Sequence, residues 1–102
     1  MQVSAAQGWE MNILVRYHGV FAQIAACREE RLELAEEATI RDALKGIARR
    51  HPPLAEAMFL ASGEPAPYTR PVLNGILLKP DDLARRLLDG DVLALLPATS
   101  GG

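Results

Sequence analysis

From Met11 to Tyr17 apolar and polar side chains alternate. Met11, Ile13, Val15 and Tyr17 fall on one side, and Asn12, Leu14 and Arg16 on the other, the period of two that marks a half-buried strand. His18-Gly19 punctuates this run, and residues 20–26 read as a short helical turn. Alternation resumes at Glu30 through Leu32 and Leu34, predicting a second strand paired with the first. The period then changes. Ile40, Ala43, Leu44, Ile47 and Ala48 recur at helical spacing, preceded by Thr39, whose hydroxyl can accept from a free amide of the first turn. Asp42 stands three residues on, where it completes a capping box and suits the positive end of the helix. Arg49, Arg50 and His51 fall at the negative end, and Pro52-Pro53 closes the helix.

The second half is shorter in its units. Residues 54–60 read as a second short helix and residues 62–67, with two prolines and a glycine, as a loop. Val72-Leu73, Asn74-Gly75 and Ile76-Leu77-Leu78 predict a tight hairpin, because Asn-Gly tolerates the positive φ values of two-residue turns. Residues 81–88 hold a helical turn, Asp89-Gly90-Asp91 a chain reversal, and Val92 to Leu96 a strand. Val92, Ala94 and Leu96 point one way and Leu93 and Leu95 the other. Both faces are apolar, so this strand is central, or its outer face meets a partner. The order strand, strand, helix, hairpin, strand predicts an α+β domain with a mixed sheet and one main helix packed on one face. The expected limits are a flexible N-terminal extension over 1–10, a domain over 11–96 and a flexible C-terminal tail over 97–102.

Composition narrows the function. Of 102 residues, 49% are hydrophobic and 24% charged, with a net charge of −2, so there is no basic excess for nucleic acid or for a membrane surface. No apolar run approaches the length of a membrane span, and the first ten residues lack a signal-peptide pattern. A single cysteine, Cys27, excludes an internal disulfide. The expected location is cytoplasmic.

The tail offers chemistry of another kind. After Leu96 come Pro97-Ala98-Thr99-Ser100-Gly101-Gly102, without charge or bulk. A carboxylate becomes an acyl donor only after activation, and to be activated it must reach into another protein's active site. Glycines lack a Cβ, so Gly101 and Gly102 can enter a narrow channel, and Pro97 biases its surroundings toward an extended projection. The plain alternative is a stub of small residues, which is common at termini.

Taken in order, several pieces resemble the ubiquitin-like β-grasp sulfur carriers. They are Asn12-Ile13-Leu14-Val15-Arg16-Tyr17, Ala38-Thr39-Ile40-Arg41-Asp42-Ala43-Leu44, Val72-Leu73-Asn74-Gly75, and the stretch from Leu88-Asp89-Gly90-Asp91 through Pro97 into Ser100-Gly101-Gly102. The nearest group is the small subunit of molybdopterin synthase (MoaD-like), with the thiamin carrier ThiS more distant. The likeness runs from Met11 to Gly102. Two segments depart from the pattern, Val20 to Glu30 and the proline-rich loop Ser62 to Arg70.

The resemblance implies a β-grasp fold and a covalent carrier rather than an enzyme. A ubiquitin-activating-type enzyme would adenylate Gly102 with ATP, and a sulfur donor protein would convert it to a thiocarboxylate. The large subunit of molybdopterin synthase, or another acceptor enzyme, would then take the sulfur. Gly101 and Ser100 would give access, and Leu93, Leu95 and Pro97 would form the partner face. The chain itself would bind no cofactor, ATP being used by the activating enzyme. The same chemistry could serve cysteine, thiamin, tRNA thiolation or a secondary metabolite. A ubiquitin-like modifier, joined through Gly102 to a lysine, and a binding module with an inert tail are the remaining alternatives.

Other candidate groups read as structural. Cys27 has no base beside it in sequence and reads as a small inert residue. His18 and His51 lie far apart, no set has metal-ligand spacing, and no metal is expected. His51 reads as a helix-end residue, and Asp89 and Asp91 as turn formers.

Overall fold

A computed structural model describes residues 10–98. The expectations for residues 1–9 and for 99–102 lie outside the described residues. The elements run β1 (Glu10–Tyr17), α1 (Val20–Ala25), β2 (Glu29–Ala35), α2 (Ile40–Arg50), α3 (Pro52–Met58), β3 (Thr69–Leu73), β4 (Ile76–Leu77), a 3-10 turn (Pro80–Ala84) and β5 (Val92–Pro97). The sheet order is β2-β1-β5-β3-β4. β1 and β5, at the centre, are parallel, and every other neighbouring pair is antiparallel.

β1 buries Met11, Ile13, Val15 and Tyr17, as its alternation requires. α2 lays Ile40, Ala43, Leu44 and Ile47 into the same core. Its start is held as expected: the Asp42 amide donates to Thr39 Oγ1 at 3.2 Å, and the Thr39 amide to Asp42 Oδ2 at 2.9 Å. The two prolines end α2 and also open α3, because proline suits the first helical positions, where an amide has no partner. The second short helix therefore begins at Pro52, two residues earlier than its apolar pattern alone marks. The core is closed by Phe21, Leu54, Met58, Leu83 and Leu87.

The structure corrects the reading of β5. Leu93 and Leu95 are 0% exposed and belong to the core, not to a partner face. Alternation alone left either side available, because both are apolar. Register decides: β5 pairs in parallel with β1 so that Leu93 lies beside Val15 and Leu95 beside Tyr17, and side chains at paired positions share a face. The open face of β5 carries Val92, Ala94 and Leu96 instead, each partly buried. β5 also runs one residue further than expected, since Pro97 still pairs with Thr69. No helix among the described residues is long and apolar enough to cross a membrane.

Candidate functional site

The site is the open face of β5 and the root from which the chain continues toward Gly102. At its beginning β5 is fastened by a side-chain lock. Asn74 Oδ1 accepts from the Val92 amide at 2.9 Å, and Asn74 Nδ2 donates to Asp91 Oδ1 at 3.0 Å. The other Asp91 oxygen accepts from the Leu88 amide at 2.8 Å, and Asp89 Oδ1 from the Asn12 amide at 2.7 Å. Both carboxylates are thus occupied in holding turns, as read from the sequence. Asn74 stands at φ 50° and Gly75 at φ 87°, the left-handed pair that a two-residue hairpin turn demands.

At its end β5 is gripped from both sides. The His18 amide donates to Leu95 O at 3.2 Å, and the Ala98 amide to Tyr68 O at 2.6 Å. Gly19, at φ 57°, faces Pro97, and a Cβ placed there would come within 3.0 Å of Pro97 Cγ. Glycine is required at 19 both by this approach and by its backbone conformation. The root is thereby aimed by backbone contacts. Of the residues expected to carry the chemistry, Pro97 lies in this root, while Ser100, Gly101 and Gly102 lie outside the described residues.

Pairing also defines the surface around the root. Leu14 is beside Val92, Arg16 beside Ala94, Val72 beside Ala94 and beside Leu77, and Arg70 beside Leu96. Leu14, Val72, Val92, Ala94 and Leu96 therefore form an apolar stripe on the helix-free side of the sheet. Arg16 and Arg70 border it, with Arg16 paired to Glu29 at 3.3 Å. Exposed Leu77, at 55%, extends the stripe onto the edge strand.

A second cluster was invisible in the sequence. Cys27, Glu30 and His51 offer one sulfur, one oxygen and one ring nitrogen that all lie within 4.8 Å of one another. Glu30 pairs with Val15, so its carboxylate points to the helix side of the sheet. There it accepts from the Tyr17 hydroxyl and meets His51 Nε2 at 2.6 Å, while Arg50 Nε lies 3.6 Å from its other oxygen. The His51 and Tyr17 rings stand edge to face, 5.7 Å between centroids. Burial first, and then the bond to Glu30, push the Tyr17 phenol far above its usual range. Burial by itself would raise the Glu30 carboxyl. The Tyr17 and His51 hydrogen bonds and the Arg50 charge outweigh it, so the group is held low and ionised. Burial and the nearby Glu30 charge raise the Cys27 thiol.

The fold, with β5 at the end of the described residues, agrees with a family comparison. The model of the ThiS family matches residues 15–102. The chain belongs to the ThiS family. Among relatives, the small archaeal modifier protein 1 of Haloferax volcanii is 33% identical over 81 residues, covering 79% of this chain and 90% of its own. The crystal structure of that Haloferax volcanii modifier superposes with a TM-score of 0.79 at 30% identity, over 89% of this chain and 99% of the other. In a Helicobacter pylori complex of subunits 1 and 2 of the molybdopterin-converting factor, a matching chain gives a TM-score of 0.56 at 26% identity, over 90% of this chain and 100% of that one. The protein is therefore a small ubiquitin-like β-grasp member of a family of sulfur carriers and modifiers.

Proposed function

We propose that this protein is a sulfur carrier whose Gly102 carboxylate is adenylated, converted to a thiocarboxylate and offered to an acceptor enzyme for molybdopterin synthesis. The observation that carries this reading is the family match running through Gly102, beyond a central strand whose root is held by Gly19, His18 and Tyr68. A carboxylate oxygen attacks the α-phosphate of ATP held by a ubiquitin-activating-type partner, and pyrophosphate leaves. A persulfide of a donor protein then attacks the acyl carbon and AMP leaves; a partner-protein thiol attacks the donor-side sulfur of the resulting acyl disulfide, which releases the thiocarboxylate and leaves a disulfide between the partner thiols. The carrier contributes reach and docking rather than acid-base groups. Gly101 and Ser100 give access to the partner's channel, and Pro97 keeps the root extended. ATP belongs to the partner, and the carrier needs no cofactor for this chemistry.

Val92, Ala94 and Leu96, rather than Leu93 and Leu95, would meet the activating enzyme and the large synthase subunit. The matching chain in the Helicobacter pylori complex is described together with its second subunit, which favours the molybdopterin acceptor. The likeness to an archaeal modifier protein favours a second reading, in which the activated Gly102 is attacked by a lysine amine and forms an isopeptide bond.

The deciding experiment is intact-mass spectrometry after incubation with an activating enzyme from the same source, ATP and a sulfur donor. Replacement of one oxygen by one sulfur at Gly102 is the expected result. Chains joined through Gly102 to lysines, with no thiocarboxylate formed, would replace the first reading by the second. An unchanged mass beside an active control carrier would reject both.

A further inference from the structure

We propose that Cys27, Glu30 and His51 form a zinc-type divalent-metal site on the helix side of the sheet, supplied by two separate segments of the chain, the entry into β2 and the α2–α3 junction. This site stands independently of the carrier chemistry, since it uses no residue of β5 or of the tail.

The donors suit a borderline cation: thiolate, imidazole and carboxylate together match zinc, and three protein ligands leave one tetrahedral position for solvent or an incoming ligand. What distinguishes the cluster from a relay is convergence. In a nucleophile–base–orienter relay the imidazole lies between its partners and uses both nitrogens. Here a single atom from each of the three residues falls within 4.8 Å of the other two, so the three atoms surround one point. Glu30 faces this point because register with Val15 turns it toward the helices, at the edge strand β2. His51 is placed by the junction of α2 and α3, where the backbone leaves helical geometry at φ −130°. Cys27 stands between α1 and β2, at a surface hollow lined also by Tyr17, His18 and Gly19.

Between His51 and Glu30 little has to move for a cation to enter. His51 Nε2 and Glu30 Oε2 are 2.6 Å apart. Two ligands on one tetrahedral zinc, with bonds of about 2.0 Å, stand about 3.3 Å apart. The side chains therefore open by less than an ångström. The Tyr17 hydroxyl then becomes the outer partner that orients the ligating carboxylate. Arg50 is the nearest cation, at 3.6 Å from the other Glu30 oxygen. Its side chain is half exposed, and its Nη1 donates to Arg31 O at 3.0 Å, so it has a second anchor when a metal draws on the carboxylate. Coordination sends the Cys27 thiol proton to solvent.

The test uses the full chain, titrated with Co2+ and then Zn2+. A tetrahedral cobalt spectrum with a thiolate charge-transfer band, bleached by Zn2+, is the expected result. Cys27→Ser, checked for folding by circular dichroism, should lose the charge-transfer band and weaken Zn2+ binding by about tenfold or more. Asp81→Asn, in the 3-10 turn Pro80–Ala84 and outside the cluster, should bind as the parent does. Zn2+ should raise the Tm of the parent and not that of Cys27→Ser. Absence of a cobalt spectrum, or a Zn2+ affinity unchanged in Cys27→Ser, would overturn the site.

Discussion

Leu93 and Leu96 are both leucines of one strand, three positions apart, and the protein uses them in opposite ways. Leu93 is wholly enclosed and Leu96 only partly. Leu93→Ala should cost about 2–5 kcal/mol in urea unfolding, through lost burial and the cavity left behind. Leu96→Glu should leave a folded domain by circular dichroism while weakening capture by the activating enzyme in a pull-down. A Leu96→Glu protein that binds as well as the parent would move the docking face elsewhere. Asn74 is a residue of the same weight. It supplies both an acceptor and a donor to the start of β5 and does so at a positive φ. Asn74→Ala removes both bonds and puts a Cβ-bearing residue without polar compensation in the left-handed region. A loss of about 1–3 kcal/mol is expected from the same unfolding measurement.

Among the elements, α2 is the one whose ends and buried face were all visible in its own residues. Leu44→Ala on that face should cost about 2–5 kcal/mol. Its cap makes a pH prediction. Hydrogen bonding from the Thr39 amide is the largest influence on the Asp42 carboxyl and holds it below the usual carboxylate range. A depressed folded-state value stabilises the protein above the unfolded value, near pH 3.9, and that contribution is lost as pH falls through the lower folded value. Asp42→Asn should thus be less stable than the parent at neutral pH, with the gap closing in acid, as Tm measured against pH will show. A gap of constant size would mean that the charge of Asp42 plays no part.

At the scale of the molecule, every core side chain among the described residues lies between Met11 and Leu95. Removal of Gly101 and Gly102 should therefore leave Tm within the small range of surface changes, about ±0.5 kcal/mol in stability, while abolishing the oxygen-for-sulfur mass change. A large loss of stability would instead mean that these two glycines contribute to the folded domain.

The chain's own pattern determined the elements, their order and the two-layer arrangement, because period-two and period-3.6 spacing, the Thr39–Asp42 cap and the Asn74-Gly75 turn are local signals. The proposal that Gly102 is the reactive end also comes from the sequence, since it rests on backbone access and not on packing. Tertiary structure decided two things. It chose which apolar face of β5 is buried, because only the parallel register with β1 sets Leu93 and Leu95 against the helices. It also gathered Cys27, Glu30 and His51, whose separation along the chain is closed by the pairing of β2 with β1 and the turn between α2 and α3. Local periodicity records which residues share a face of one element. It holds no record of which face meets another element, and that is settled by the contacts that bury the most apolar surface at once.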